Sequence, residues 1–386
     1  MRKILLALFL GLIFCAASFA TTVEIATLQE LRDIQSALSD TYIQVEHIAA
    51  ATTSDSPFVP LSTFTGSYDG DGHRITDLRV SDTSGSGRQG LFGTLNGTVK
   101  KLGLENVNVI GFYAGSLAGE ISSFANVDQC YSTGTVKGVG TSLNVGGFIG
   151  SAYYAEAPAK VTNSFTSCNV ETDDGGGTHH AGTFMGIGSN GGADIHADYA
   201  IGTLTIETPA NTYSGAGVNR YGAPVATFFD STLCAAGSSV STGKNTAEMK
   251  TQSTFTPLYN VVTNQVLGTF MDEQPFSIAP NLPVVGTPTV ELSTFDMDLM
   301  ENVWVATDDY TLSETGAVYI TDWGSGESAR ISYSWGNISW DFTDVWAIDA
   351  TGTINSGYPY LKNVVPTSSG GSGTSTKRKP IVVWWN

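Results

Sequence analysis

Between Val99 and Gly237 the hydrophobic and polar positions recur as a block. Each copy opens on an aliphatic residue: Val99-Lys-Lys-Leu-Gly, Val127-Asp-Gln-Cys-Tyr, Val161-Thr-Asn-Ser-Phe, Ile195-His-Ala-Asp-Tyr and Val225-Ala-Thr-Phe-Phe. The copies start 28, 34, 34 and 30 residues apart. In phase with them runs a small-residue and apolar cluster: Gly90-Leu-Phe-Gly93, Ala114-Gly-Ser-Leu-Ala-Gly119, Gly146-Gly-Phe-Ile-Gly150, Ala181-Gly-Thr-Phe-Met-Gly186 and a degenerate Ser214-Gly-Ala-Gly217. Self-similarity at roughly 20 to 50 residues means a solenoid, a propeller or an array. Within a copy the apolar residues alternate over short runs, as at Val99, Leu102, Leu104, Val107 and Val109, and no ten-residue window keeps a helical period. The unit is a coil of short strands. A propeller blade needs roughly 40 to 45 residues and its own signature, which is missing.

A parallel β-helix fits. One turn cannot bury its own inward face, so successive turns stack about 4.8 Å apart and share a continuous core. Val99, Val127, Val161, Ile195 and Val225 are expected in one inward column. Four residues after each of the last four come Tyr131, Phe165, Tyr199 and Phe229, which stacking places in an aromatic ladder. Such a ladder could be a platform for sugar rings. Its equal spacing from an inward aliphatic residue gives it the same strand parity, so the expected place is the core.

Several of these segments resemble a known family. Gly90-Leu-Phe-Gly93, Val145-Gly-Gly-Phe-Ile-Gly150 and Cys130-Tyr-Ser-Thr-Gly-Thr-Val136 are similar to GLUG repeats of large secreted and surface-anchored bacterial proteins, including adhesins and some IgA-peptidase-type proteins. Phe64-Thr-Gly-Ser-Tyr-Asp-Gly-Asp-Gly-His73 resembles the lead-in to such repeats. Trp340-Asp-Phe, Val345-Trp-Ala-Ile-Asp349 and Gly357-Tyr-Pro-Tyr-Leu361 resemble the segment that closes them. The resemblance implies an architecture and leaves activity open, because function lies in sites grafted on folds.

The expected fold is all-β: a right-handed parallel β-helix with a short N-terminal capping helix and a small inserted β-domain. Residues 1–20 read as a secretory signal peptide, with Arg2 and Lys3, the apolar run Ile4 to Phe14, and Ser18-Phe19-Ala20 at the cleavage site. Bulky residues before Cys15 argue against a lipid anchor, and no other apolar run approaches the roughly 20 residues of a membrane span. Residues 21–63 form the cap, in which Thr27-Leu-Gln-Glu30 is a capping box opening a helix through Leu38, followed by a strand from Tyr42 to Ile48. The β-helix takes 64–256. Residues 257–338 interrupt the family pattern and alternate as strands, and 339–362 close the solenoid. Residues 363–386 form a flexible linker and a basic, apolar tail, Lys377-Arg-Lys-Pro-Ile-Val-Val-Trp-Trp-Asn386, that could dock on a partner.

Charge narrows the function. The formal net charge of −18 becomes −20 once Arg2 and Lys3 leave, which repels nucleic-acid phosphates. Three cysteines remain after the signal, at unlike offsets in their repeats, so no disulfide framework is indicated. Asp69-Gly-Asp-Gly-His73 begins like a calcium loop, but its twelfth position is Val80, and Asp-Gly is itself a turn signal. Neither His179-His180 beside Asp173-Asp174 nor His196 beside Asp194 and Asp198 has zinc spacing, and no His-Glu-x-x-His occurs. Asp128, Asp194, Asp198 and Asp230 lie at different repeat offsets, so they do not converge as paired carboxylates must.

The function expected is a secreted, surface-exposed adhesion or scaffold module, non-catalytic and without cofactor, that binds a surface glycan or protein. A β-helix polysaccharide lyase or hydrolase is one alternative, and a subunit of an extracellular or virion-like assembly is another. Binding is expected in the insertion, which holds 11 acidic residues against one basic residue, Arg330. Trp304, Trp323, Tyr310 and Tyr319 are the candidate contacts, because exposed aromatics offer area at little entropic cost. Asp296, Asp298 and Glu301 are weak calcium candidates, a solvated edge strand being the stronger reading.

Overall fold

The computed structural model describes residues 22–50, 56–84, 87–141, 143–152, 159–173, 178–188, 193–207, 212–215, 227–234, 241–255, 260–269, 276–277, 284–296, 301–307, 310–312, 317–320, 328–335 and 340–367. It is a parallel β-solenoid of about five turns built from four ribbons of stacked strands. The first ribbon stacks Thr22–Ile25, Thr41–Gln44, Ser67–Asp69, Thr98–Lys100, Asn126–Asp128, Ala159–Thr162 and Ala193–His196. The second follows around a corner, with Arg74–Thr76, Gly103–Gly111, Tyr131–Gly138, Phe165–Thr172, Tyr199–Ala200, Phe228–Asp230 and Thr242–Lys244 in order. Two five-stranded ribbons complete the section, one running from Arg88–Gln89 to Thr212–Gly215 and the other from Leu61–Phe64 to Met185–Gly188.

Register follows the repeat spacing. Val99 lies opposite Val127, Val127 opposite Val161, and Val161 opposite Ile195, all four fully buried. Val225 lies outside the described residues. Cys130, Cys168 and Cys234 are buried and unbridged, and burial holds the Cys130 and Cys168 thiols above their ordinary range, so both remain neutral.

The glycine-bounded clusters form the tight corner between the third and fourth ribbons. A Cβ on Gly115 would stand 2.4 Å from the Ala118 carbonyl oxygen and 2.6 Å from the Gly150 nitrogen, and one on Gly119 would stand 2.5 Å from the Gln89 nitrogen. The backbones of successive turns touch there, which is why the pattern repeats glycine and not merely a small residue.

The cap differs from expectation at both ends. The capping box is formed: the Glu30 amide donates to Thr27 Oγ1 at 3.2 Å, and the Thr27 amide donates to Glu30 Oε2 at 2.9 Å. However, the α-helix covers only Leu28–Asp33 and tightens into a 3₁₀ turn at Ile34–Ser36, with Leu31 and Ile34 buried. Tyr42 donates from its hydroxyl to the Ala37 carbonyl at 2.6 Å and draws the chain into the next strand before Leu38 can extend the helix. The first turn also begins earlier than expected, since Thr22–Ile25 pairs in parallel with Thr41–Gln44.

Residues 257–338 follow different rules. Their strands pair antiparallel, in a four-stranded sheet ordered Asn260–Thr269, Ser328–Trp335, Val284–Asp296, Glu301–Thr307 and a three-stranded sheet ordered Phe276–Ser277, Ala317–Ile320, Tyr310–Leu312.

Because neither backbone neighbour can yield, Gly115→Ala is expected to lower the unfolding free energy by about 2 kcal/mol, the range of overpacked interiors. Urea denaturation followed by circular dichroism measures it; an unchanged midpoint would mean that the corner opens to accept a methyl group.

Candidate functional site

The aromatic ladder exists, but on the opposite face from the one expected. Tyr131 and Phe165 stack with ring centroids 5.1 Å apart and planes within 7°, and Phe165 and Tyr199 at 4.9 Å and 2°. All three are buried, yet they belong to a cluster outside the solenoid core. The inward positions beside them are Ser132 and Thr166, whose hydroxyls bond at 2.9 Å while Ser132 receives Ser116 at 2.7 Å. The parity argument fails because the chain turns through a left-handed residue before each ladder position: Gln129 at φ 53°, Asn163 at 49°, Ala197 at 56°. A strand keeps its side-chain alternation only while it stays extended.

The fourth member also differs. Tyr199 pairs with Phe228, and Phe229 lies opposite Ala200, so Phe228 and not Phe229 continues the column. A slip of one residue moves every side chain to the other face. In this register the Phe228 ring packs on Phe255 at 5.3 Å and Trp340 at 6.0 Å, while Asp230 is buried and accepts hydrogen bonds from Thr246 Oγ1 and Tyr358 at 2.7 Å each and from two backbone amides.

The ladder is covered by the closing segment, which runs back across the turns toward the N-terminal end. Trp340 and Trp346 lie against Tyr199 at 5.7 and 5.9 Å. The Trp346 indole donates to Asn163 Oδ1 at 3.3 Å. The Tyr199 hydroxyl donates to the Pro359 carbonyl and accepts from the Asn355 amide at 2.6 Å. Asn363 donates to Gln129 at 2.9 Å, and Arg74 Nη1 donates to the Val365 carbonyl at 3.0 Å. Glu105 gathers the far end, accepting from the Tyr131 hydroxyl at 2.6 Å and from the Thr367 amide and hydroxyl at 2.8 Å each. The docked segment therefore extends to Thr367, past the boundary expected at 362. Burial keeps the Tyr131 and Tyr199 phenols well above their ordinary pKa, so both stay protonated donors.

Other candidate residues have structural duties. In Asp69-Gly-Asp-Gly-His73, Asp69 accepts from the Asp71 amide at 2.9 Å and pairs with Lys100 at 3.2 Å. Gly72, at φ 83°, lies under Asn363, whose carbonyl oxygen would stand 2.5 Å from a Cβ. This supposed metal loop is a seat for the closing segment. Asp128 receives Thr162 and Asn163 at 2.9 Å each, and Asp198 receives the Ser164 amide. Asp194 and His196 lie in the last strand of the first ribbon, and His179 and His180 begin the fourth of the five strands of the third, paired with Thr212 and Tyr213. No group of three metal-type ligands occurs among the described residues.

In the insertion, Asp296 is paired with Glu301 in the strand register, and Asp298 lies outside the described residues. Trp304 is opposite Ser293, Tyr310 opposite Ile320 and Tyr319 opposite Thr311; Trp323 lies outside the described residues. The segments that lead in and out meet, with the Phe255 and Trp340 rings 4.4 Å apart. The 386-residue chain's tail beyond Thr367 also lies outside the described residues. Sequence reasoning missed Asp349. Its carboxylate accepts from Thr351 and Thr353 hydroxyls at 2.6 Å each and from three backbone amides, which holds it well below the usual carboxylate range. The Asp349-x-Thr-x-Thr353 spacing was the available signal.

Two outcomes follow. Tyr199→Ala is expected to cost about 3 kcal/mol of stability, as loss of a buried aromatic does, measured by denaturant unfolding. A ladder that served as a sugar platform would instead lose binding with stability intact. For Asp230, burial would raise the pKa, and the Tyr358, Thr246, Thr232 and Leu233 hydrogen bonds outweigh it, leaving the group below its ordinary 3.8. A depressed acid contributes stability that is present above that value and lost as pH falls below it. Asp230→Asn should therefore be less stable at neutral pH and lose less on acidification through this window; parallel melting curves at pH 7 and 3 check the sign.

No family model matches the chain. Over 140 residues it is 34% identical to halomucin of Haloquadratum walsbyi (strain DSM 16790 / HBSQ001); the match takes in 33% of this chain and 2% of halomucin, so the chain corresponds to a small fraction of that protein's length. Among solved structures, a protein of Bacteroides ovatus described as a candidate immunoglobulin A1 protease superposes with a TM-score of 0.45 and 17% identity, over 60% of this chain and 87% of its own.

Proposed function

We propose that this protein is a secreted, non-catalytic adhesion or scaffold module, a solenoid of GLUG-type repeats that displays an inserted β-domain to a surface glycan or protein. The observation that carries the reading is the meeting of Phe255 and Trp340. Their rings touch at 4.4 Å and close the base of residues 257–338, so the insertion leaves and re-enters the solenoid at one point. The solenoid's own aromatic column is committed to the closing segment. The tryptophans and acids of the insertion are then the aromatic and charged residues best suited to recognition.

Deleting 257–338 and joining Thr256 to Ser339 tests this. Because both ends meet at one aromatic contact, the variant is expected to keep the solenoid's circular dichroism and melting midpoint while losing binding in a cell-surface screen. Full binding by the variant would transfer recognition to the repeats. Release of reducing or unsaturated sugar by the intact protein would replace the whole reading with an enzyme.

A further inference from the structure

A second site lies on the other side of the solenoid. An open cleft of about 350 Å³ lies on the first turns, lined by Pro60, Ser62, Thr63, Arg88, Gly93 and Thr94 among others. Its walls are stacked strands. Thr63 lies opposite Thr94, and Thr94 opposite Glu120, in one outward column. From the neighbouring ribbon Arg88 reaches across, placing Nε 3.0 Å from Glu120 Oε1 and its guanidinium 5.8 Å from the centre of the Tyr113 ring. The base is fixed by backbone, since a Cβ on Gly93 would stand 2.9 Å from the Ser62 carbonyl oxygen. The cap holds the rim: Gln35 donates to Ser62 Oγ at 2.8 Å and accepts from the Ser62 amide at 3.1 Å. Pro60 gives this polar cleft an apolar wall.

We infer that this cleft binds a neutral pyranoside, as a free glycan end or a short oligosaccharide. Its volume falls at the lower end of ligand sites, roughly 300 to 1,000 Å³. The donor set matches sugar hydroxyls: a guanidinium with nitrogens to spare beyond its contact with Glu120, and three hydroxyls, on Ser62, Thr63 and Thr94, that both donate and accept. Pro60 suits the C–H face of the ring. An anion is disfavoured because Glu120 neutralises Arg88 and the whole chain carries −18. The inference goes beyond the adhesion reading and does not depend on the insertion.

Saturation-transfer NMR on the mature full-length protein is the test, with methyl glycosides of glucose, galactose and mannose and with glucuronic acid, each at about 10 mM to reach millimolar affinities. Ring protons of at least one neutral glycoside should receive saturation, with glucuronic acid weaker. Thr94→Trp, which fills the cleft, should abolish the signal at an unchanged melting midpoint; Arg88→Met should weaken affinity about tenfold. If Thr94→Trp does not fold, Thr63→Trp on the same column takes its place. The inference is overturned by absence of transfer from every neutral glycoside, by an equal or stronger response to glucuronic acid, or by an undiminished signal in the filled cleft. Since these readouts are monosaccharide contacts on the solenoid, they are separate from loss of cell-surface binding in the insertion deletion.

Discussion

The stack of Tyr131, Phe165 and Tyr199 on the outer face of the second ribbon governs the arrangement of the rest. Three large rings cannot remain in water on a regular sheet without leaving an adhesive apolar strip, so something must cover them. The chain covers them with itself. Trp340, Trp346, Tyr358, Leu361 and Val364 share one buried cluster with the rings, and five successive turns of the solenoid each supply the closing segment with a polar anchor: Asp230, Tyr199, Asn163, Gln129 and Glu105. A solenoid ordinarily couples only neighbouring turns. Here a segment that contacts nearly every turn makes the later turns depend on the first.

This arrangement accounts for the place of the insertion. The route from the last turn to the closing segment has to reverse direction, and Phe255 meets Trp340 at that reversal. An excursion from this point disturbs neither the stacking of turns nor the covered ladder, because both flanks are already packed. The same logic assigns the lead-in motif. Asp69-Gly-Asp-Gly-His73 resembles the start of a metal loop when read alone, yet Gly72 receives the Asn363 backbone and the adjoining Arg74 holds Val365.

The repeat period carried most of the fold. Stacking converts equal spacing into register directly, so Val99, Val127, Val161 and Ile195 could be aligned from the chain alone, and the glycine clusters marked the corner where turns touch. Face assignment was not legible in the same way. Gln129, Asn163 and Ala197 carry no common residue type to announce a left-handed corner, and one such residue reverses inside and outside. Phe228 and Phe229 are chemically equivalent neighbours, so only partners distant in sequence, Phe255 and Trp340, select between them. Contacts of the Asn363–Gln129 or Thr367–Glu105 kind join residues more than two hundred positions apart, and no local pattern encodes them. The cleft at Arg88 and Glu120 was invisible for a related reason, as its walls come from different turns.

The hold of Glu105 on Thr367 also determines how the molecule carries load. Thr22–Ile25 is the outermost strand of the first ribbon, and Glu105 lies in the turn begun by Thr98–Lys100, the fourth strand from that edge. Tension applied between residues 22 and 367 therefore passes through only the first few turns and the tip of the closing segment, while the turns from Asn126 onward are slack. The early turns would meet such a pull as a short tether, with the Arg74 and Glu105 contacts as its first points of yield and the remaining coil as a reserve of length released only after they part.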